Sequence, residues 1–172
     1  MRFKGECFRA HDPNWSWSPQ SGAGAALKGR RFNWPGHETL YLSLSFKTVF
    51  REVSGGFAHR LTPYVLCSYD VDCEDIADLR TDADRVALGV DLSDLACAWG
   101  DALIAKREPE SWGIVRRLIA EGHAGILVPS FANGSTADDQ NLVLWRWSPD
   151  LPHQVIAYDP TGKLPKNQLS WS

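Results

Sequence analysis

The chain has 172 residues, 44% of them hydrophobic and 23% charged, which fits one globular domain. A domain of that length buries roughly two thirds of its unfolded surface. A formal net charge of -3 argues against a surface built to meet nucleic-acid phosphates, and no run approaches the ~20 apolar residues that a membrane span needs. The expected setting is therefore the cytoplasm, with neither membrane nor direct nucleic-acid contact, and the opening residues, with Arg2, Lys4, Glu6 and Arg9, lack an apolar signal core.

In chain order, the first 35 residues are punctuated by Pro13, Pro19, Gly22, Gly24, Gly29 and Pro35 and read as a long loop region, ordered by Trp15, Trp17 and Trp34. Loops of that length in a compact domain are usually functional. Thr39 to Ser45 reads as a strand, followed by a short helix in which Phe46, Val49, Phe50 and Val53 recur at helical spacing until Gly55 and Gly56 stop it. Tyr64 to Asp72 alternates, with Val65, Cys67, Tyr69 and Val71 on one face, as a half-buried strand does. Thr81 to Ala105 is helical or irregular. Ser111 to Glu121 is an amphipathic helix, with Ser111 expected at its N-cap and Gly122 at its stop. Three strands follow, Gly125 to Pro129, Asn141 to Trp147 and His153 to Tyr158, the last ending at the turn Asp159-Pro160-Thr161-Gly162. Strands without regular helical crossovers point to an α+β domain. The tail from Lys163 to Ser172 reads as peripheral, able to dock by Trp171.

Chemistry concentrates between Arg30 and Glu52, a run that also holds Asn33, Trp34, His37 and Tyr41. An arginine in a Gly- and Asn-containing loop offers a planar fork of donors to phosphate oxygens, so Arg31 points to a diphosphate-bearing ligand. Glu52 falls at the edge of its helix's apolar stripe, where an acid looks either into a cleft or toward Arg51 or Arg60 on a solvated surface. Cys7, Cys67, Cys73 and Cys97 form no CxxC pair and read as buried reduced thiols, with no metal site.

The blocks Cys7-Phe8-Arg9, Ser21-Gly22-Ala23-Gly24-Ala25, Arg31-Phe32-Asn33, Leu40-Tyr41-Leu42-Ser43, Glu52, and Leu127-Val128-Pro129-Ser130 resemble, in order and spacing, those of the RES domain, named for an arginine, a glutamate and a serine. The likeness runs from about Cys7 to Trp147 and makes the whole chain, 1–172, a single RES domain, with the loop-rich segment 1–38 contributing to the cleft and 163–172 as a tail. It implies a mixed α+β domain of small sheets and short helices, similar to the ADP-ribosyltransferase toxins, with NAD+ as substrate and no metal. It also implies a toxin of a toxin–antitoxin pair, whose cognate antitoxin, carrying an Xre-type DNA-binding domain, covers the cleft.

The implied first step is rupture of the nicotinamide–ribose bond, which leaves an oxocarbenium-like sugar. Glu52 is the candidate to stabilise that charge. Arg31 and Arg9 are candidates for the pyrophosphate, and Tyr41 for the nicotinamide face or a ribose hydroxyl, although a strand tyrosine also serves as packed core. Asn33 and Ser130 are candidates at the amide or the ribose, although Ser130, following Pro129, is also a plain turn former. The acceptor of ADP-ribose expected first is a bacterial protein. The alternatives are NAD+ depletion by a glycohydrolase or phosphorylase, and a non-enzymatic module whose aromatic loop grips a partner. An acidic run at Asp70, Asp72, Glu74 and Asp75 is better read as a solvated strand end than as a metal site, and His59 is a further candidate to line the cleft.

Overall fold

The computed structural model describes residues 1–54 and 62–171, the last two of these by backbone alone. Gly55, Gly56, His59, Arg60 and the side chain of Trp171 lie outside the described residues. Seven strands, β1 (Phe3–His11), β2 (Leu40–Ser43), β3 (Val65–Cys73), β4 (Ile76–Asp78), β5 (Gly125–Pro129), β6 (Gln140–Leu144) and β7 (His153–Ala157), join in one sheet. Their order is β4-β5-β6-β2-β1-β3-β7. Among the strand pairs of the described residues, only β4–β5 is parallel. Among the described residues, six short helices decorate the sheet: α1 (Ala23–Ala26), α2 (Phe46–Ser54), α3 (Asp82–Ala87), α4 (Leu92–Leu95), α5 (Trp99–Ile104) and α6 (Glu110–Ala120). This is the α+β architecture expected.

Period-two alternation distributes the core over both faces of the sheet. Leu127 of β5 with Leu142 and Leu144 of β6 joins Cys7, Tyr69, Val71 and Val155 on one face. Ile126, Val128 and Val143, the neighbours of those residues in sequence, join Val115 and Leu118 of α6 on the other. A sheet covered on both sides reads as an unbroken apolar run, which is why β5 is buried from Gly125 to Val128. In β3 the alternation is cleaner: Cys67, Tyr69 and Val71 are buried, whereas Leu66 and Asp70 are exposed.

Four features depart from expectation. The N-terminal region, read as loop, contains β1, which lies inside the sheet between β2 and β3 and pairs with β3 from Phe3↔Cys73 to His11↔Val65. Its alternation is carried by Lys4 and Glu6 facing solvent around Gly5, a pattern with too few apolar residues to register as a strand. β4 is a further strand in a stretch read only as acidic. In α2 the stripe does not simply face the core: Phe46 and Phe50 are exposed, while Thr48 and Val49 are buried. The reason is a polar contact, since the Thr48 hydroxyl donates to Asp139 Oδ1 at 2.9 Å. Ser111, finally, is not the N-cap of α6; Pro109 holds that place, and the Ser111 hydroxyl instead donates to the Arg31 carbonyl. The other end of α6 is as expected, with Gly122 at φ 95°, a left-handed conformation that favours glycine.

Three of the four acids of the 70–75 stretch have partners within the fold, Glu74 with Arg2 among them, whereas Asp70 is exposed. Asp72 pairs with Arg2 and Lys4, and Asp75 with Arg146 and His153. Cys7, Cys67 and Cys73 are buried free thiols, whereas Cys97 is only half-buried. The tail starts at a turn in which both Asp159 carboxylate oxygens accept backbone N–H groups, from Lys163 and Leu164. Its Gln168–Trp171 turn packs against the Pro13–Trp15 turn near the N-terminus.

Candidate active site

A turn from Arg30 to Asn33 forms one wall of a cleft. It is closed by Arg30 N donating to the Asn33 carbonyl at 2.9 Å. Three consecutive carbonyls of this turn each accept from a side chain elsewhere: Arg30 from Trp112 Nε1 at 2.8 Å, Arg31 from the Ser111 hydroxyl, and Phe32 from Trp145 Nε1 at 3.0 Å. Trp112 and Trp145 thus pin the turn from distant segments of the chain. Gly29, at φ 74°, enters the turn so close to Trp112, Pro35 and the Asn33 carbonyl that a Cβ would fall within about 3 Å of each.

Asn33 is the knot of the turn. It is fully buried; its Nδ2 donates to the carbonyls of Ala25, Trp34 and His37 at 3.0–3.1 Å, and its Oδ1 accepts from the Tyr41 hydroxyl at 2.9 Å. Its amide is therefore occupied within the fold, and it does not line the cleft. Tyr41 itself does line it; its hydroxyl lies between Asn33 and the Phe32 N–H, and burial pushes its pKa up.

The cleft, ≈ 630 Å³, lies over β1 and β2, between this turn and α2. That size suits a small-molecule site. Arg9, Arg30, Arg31, Tyr41, Glu52 and Asn141 all face it. Glu52 Oε1 accepts from the Ser130 hydroxyl at 2.7 Å and from Asn141 Nδ2 at 2.6 Å, while Oε2 has no partner among the described residues. Two donors on one oxygen fix the carboxylate of this cleft-lining residue and leave its other oxygen available. Ser130 is buried, and its own oxygen accepts from the Ser135 hydroxyl at 2.9 Å, so the Ser130 proton is directed at Glu52. Asn141 is held in turn by Ser43, whose hydroxyl donates to Asn141 Oδ1 at 2.8 Å.

The arginines are unequal. Arg31 Nη1 donates to the carbonyls of Leu95 and Cys97 at 3.0 and 2.7 Å, and its guanidinium lies 4.7 Å from the centre of the Phe131 ring. Arg9 Nη1 donates to the carbonyls of Pro19 and Ser21, both at 2.9 Å, and so ties the N-terminal loop to β1. Burial lowers the pKa of both, opposed at Arg31 by the nearby Cys97 and Glu52. Arg30 is exposed, and its guanidinium has no partner among the described residues.

The structure thus brings Arg9, Arg31, Tyr41 and Glu52 around one cleft, with Ser130 buried behind Glu52 and Asn33 behind the Arg30–Asn33 turn. Sequence reasoning missed Asn141, Arg30 and Phe131. Asn141 lies 89 residues from Glu52, and no local motif signals that contact. Arg30 stood in view beside Arg31, but nothing local distinguishes a free guanidinium from a tethered one.

No curated protein matches the chain. The chain is similar in fold to the crystal structure of the M. tuberculosis MbcT-MbcA toxin-antitoxin complex, with a TM-score of 0.59 and 21% identity over 92% of this chain and 84% of that one. The RES domain family model matches residues 6–167. With that match over most of its length, the chain belongs to the RES domain family.

Proposed function

We propose that this chain is the toxin of a toxin–antitoxin pair, cleaves the nicotinamide–ribose bond of NAD+, and passes ADP-ribose to a bacterial protein in preference to water or phosphate. The observation that carries this reading is the Glu52 carboxylate, which lines the cleft and is fixed through one oxygen by Ser130 and Asn141 with the other oxygen available. Heterolysis of the C–N bond sends its electron pair out with neutral nicotinamide and leaves positive charge on the ribose C1′ and ring oxygen. A preorganised carboxylate stabilises that charge and accepts a ribose hydroxyl proton in a hydrogen bond. The acceptor's nucleophile then bonds to C1′ and loses its proton.

Arg30, with a free guanidinium, and the remaining N–H groups of Arg31 and Arg9 suit the diphosphate, which a planar fork grips in two places. Tyr41 and Phe131 offer ring faces for the nicotinamide. The exposure of Glu52 leaves the site open to a macromolecular acceptor as well as to water or phosphate. The proposed partner is a cognate antitoxin that carries an Xre-type DNA-binding domain and covers this cleft; the likeness in fold to a chain of a toxin-antitoxin complex supports the existence of such a partner.

The test is to incubate the purified chain, free of antitoxin, with adenylate-labelled NAD+ and a bacterial lysate. Label on a discrete protein, absent with Glu52→Gln, is the expected result. Label recovered only as small ADP-ribose species would replace the transferase with an NAD+-degrading enzyme. Intact NAD+ with undiminished antitoxin binding would leave a partner-binding module.

A further inference from the structure

The neutral polar side chains expected at the ribose are occupied within the fold. Asn33 gives its amide N–H groups to backbone carbonyls and its oxygen to Tyr41, whose hydroxyl also accepts the Phe32 N–H. Ser130 donates its proton to Glu52, and its oxygen accepts the Ser135 hydroxyl at 2.9 Å and the Ala132 N–H at 3.2 Å. A hydroxyl has one proton and two lone pairs, so nothing of Ser130 is left for a ligand. Asn141, which no sequence motif marks, is different. It lines the cleft from β6, opposite Ser43 of β2. An ionised carboxylate only accepts, so the amide nitrogen of Asn141, not its oxygen, faces Glu52 Oε1 at 2.6 Å, and the oxygen is left to the Ser43 hydroxyl at 2.8 Å. That contact uses one of the two N–H groups on Nδ2; the other has no partner among the described residues.

An unused N–H donor therefore stands beside the available Glu52 oxygen, an acceptor. Such a pair complements a vicinal diol, in which one hydroxyl gives its proton and the oxygen of the other takes one. The nicotinamide ribose of NAD+ carries a diol at C2′ and C3′. Glu52 answers the positive charge at C1′, and C2′ is the neighbour of that carbon, so the 2′-hydroxyl falls to the carboxylate and the 3′-hydroxyl to the amide. The ring oxygen is excluded as the acceptor of the Asn141 N–H: it shares the positive charge as the C–N bond breaks, and a donor set against it would oppose the reaction.

We propose that Asn141 touches the substrate, its second N–H donating to the 3′-hydroxyl oxygen of the nicotinamide ribose and so selecting for that hydroxyl. The proposal rests on NAD+ being the substrate. It is tested by nicotinamide release from NAD+ and from its analogues that lack the 2′- or the 3′-hydroxyl on the nicotinamide ribose, with the wild-type chain, Asn141→Ala and Ser130→Ala. Wild-type kcat/KM should be about tenfold lower for the 3′-deoxy compound, the scale of one hydrogen bond. Asn141→Ala should lose about tenfold more on NAD+ and on the 2′-deoxy analogue than on the 3′-deoxy analogue, because only there is its partner already missing. Ser130→Ala removes the other donor from the same Glu52 oxygen without reaching the substrate, and should cost the same factor on all three. Equal use of NAD+ and the 3′-deoxy analogue by the wild type would overturn the contact without relying on any variant. So would an Asn141→Ala penalty that is the same on all three compounds, as Ser130→Ala gives, or one that disappears with the 2′-hydroxyl instead. Calorimetric binding of the same intact dinucleotides separates the contact from the reaction. Binding that weakens without the 3′-hydroxyl only when Asn141 is present, in a chain that releases no nicotinamide, would uphold the contact and sink the reaction. Nicotinamide release indifferent to the 3′-hydroxyl would sink the contact alone.

Discussion

Glu52 and Ser130 stand 78 residues apart and share a 2.7 Å hydrogen bond. Glu52→Gln keeps an acceptor for Ser130 and Asn141 but removes the charge that answers an oxocarbenium ion. Nicotinamide release at saturating NAD+ should fall by roughly 10²–10³, the scale of losing one preorganised electrostatic partner, with thermal stability little changed because the side chain is exposed. Ser130→Ala leaves Asn141 on the same carboxylate oxygen and should cost less, about tenfold in kcat. Arg30→Ala should raise KM for NAD+ by more than it lowers kcat, since a diphosphate contact is made equally before and during bond rupture. An equal fall in kcat would instead assign Arg30 to the reacting centre. Of these residues, Glu52 and Ser130 are legible only through the ordered family blocks. A lone glutamate on a short helix is as easily a surface ion-pair partner, and its contact with Asn141 exists only once β2 and β6 have paired.

At the scale of elements, α2 and the loop from Ser130 to Asp139 behave as one clamp around the Glu52 carboxylate. Asp139 is 2% exposed; it accepts from Thr48 Oγ1 of α2 and from the backbone and hydroxyl of Thr136, and pairs with Arg51. Its carbonyl accepts the Ser130 N–H at 2.7 Å, so the same residue sets both ends of the Ser130–Glu52 contact. The Thr136 N–H, followed by the Thr48 and Thr136 hydroxyls and Arg51, holds the Asp139 pKa down to about 2, below its ordinary 3.8. A depressed carboxyl pKa stabilises the fold above the unfolded value and loses that contribution as pH falls through the folded one. The melting temperature of the wild type should therefore drop between pH 4 and pH 2 more steeply than that of Asp139→Asn. Parallel acid profiles would remove Asp139 from the clamp. The helix itself is legible from its apolar spacing, but its orientation is not, because Thr48 and Arg51 turn toward Asp139, which lies far along the chain. The Arg30–Asn33 turn follows the same logic, since its carbonyl partners Trp112, Ser111 and Trp145 come from distant segments.

Across the whole molecule, the sheet decides what can be read in advance. β3, β5, β6, β7 and α6 carry their own periodicity and are visible in sequence to within a few residues. β1 and β4 do not: β1 is a strand because β2 and β3 flank it, and three-residue β4 exists by pairing with β5. The face that α6 covers is tied to the cleft, because Phe32, beside Arg31, belongs to the same apolar cluster as Leu118 and Val115. Leu118 is fully buried there, and Leu118→Ala should destabilise the protein by roughly 2–5 kcal/mol in denaturant unfolding. The assembled sheet, turn and clamp converge on one chemical claim, that Glu52 drives rupture of the nicotinamide–ribose bond. Its most direct test is free nicotinamide released from NAD+ by the purified wild-type chain and by Glu52→Gln of equal melting temperature. Release by the wild type, reduced by roughly 10²–10³ in the variant, is the expected result. Equal release by both, or none by the wild type, would contradict it.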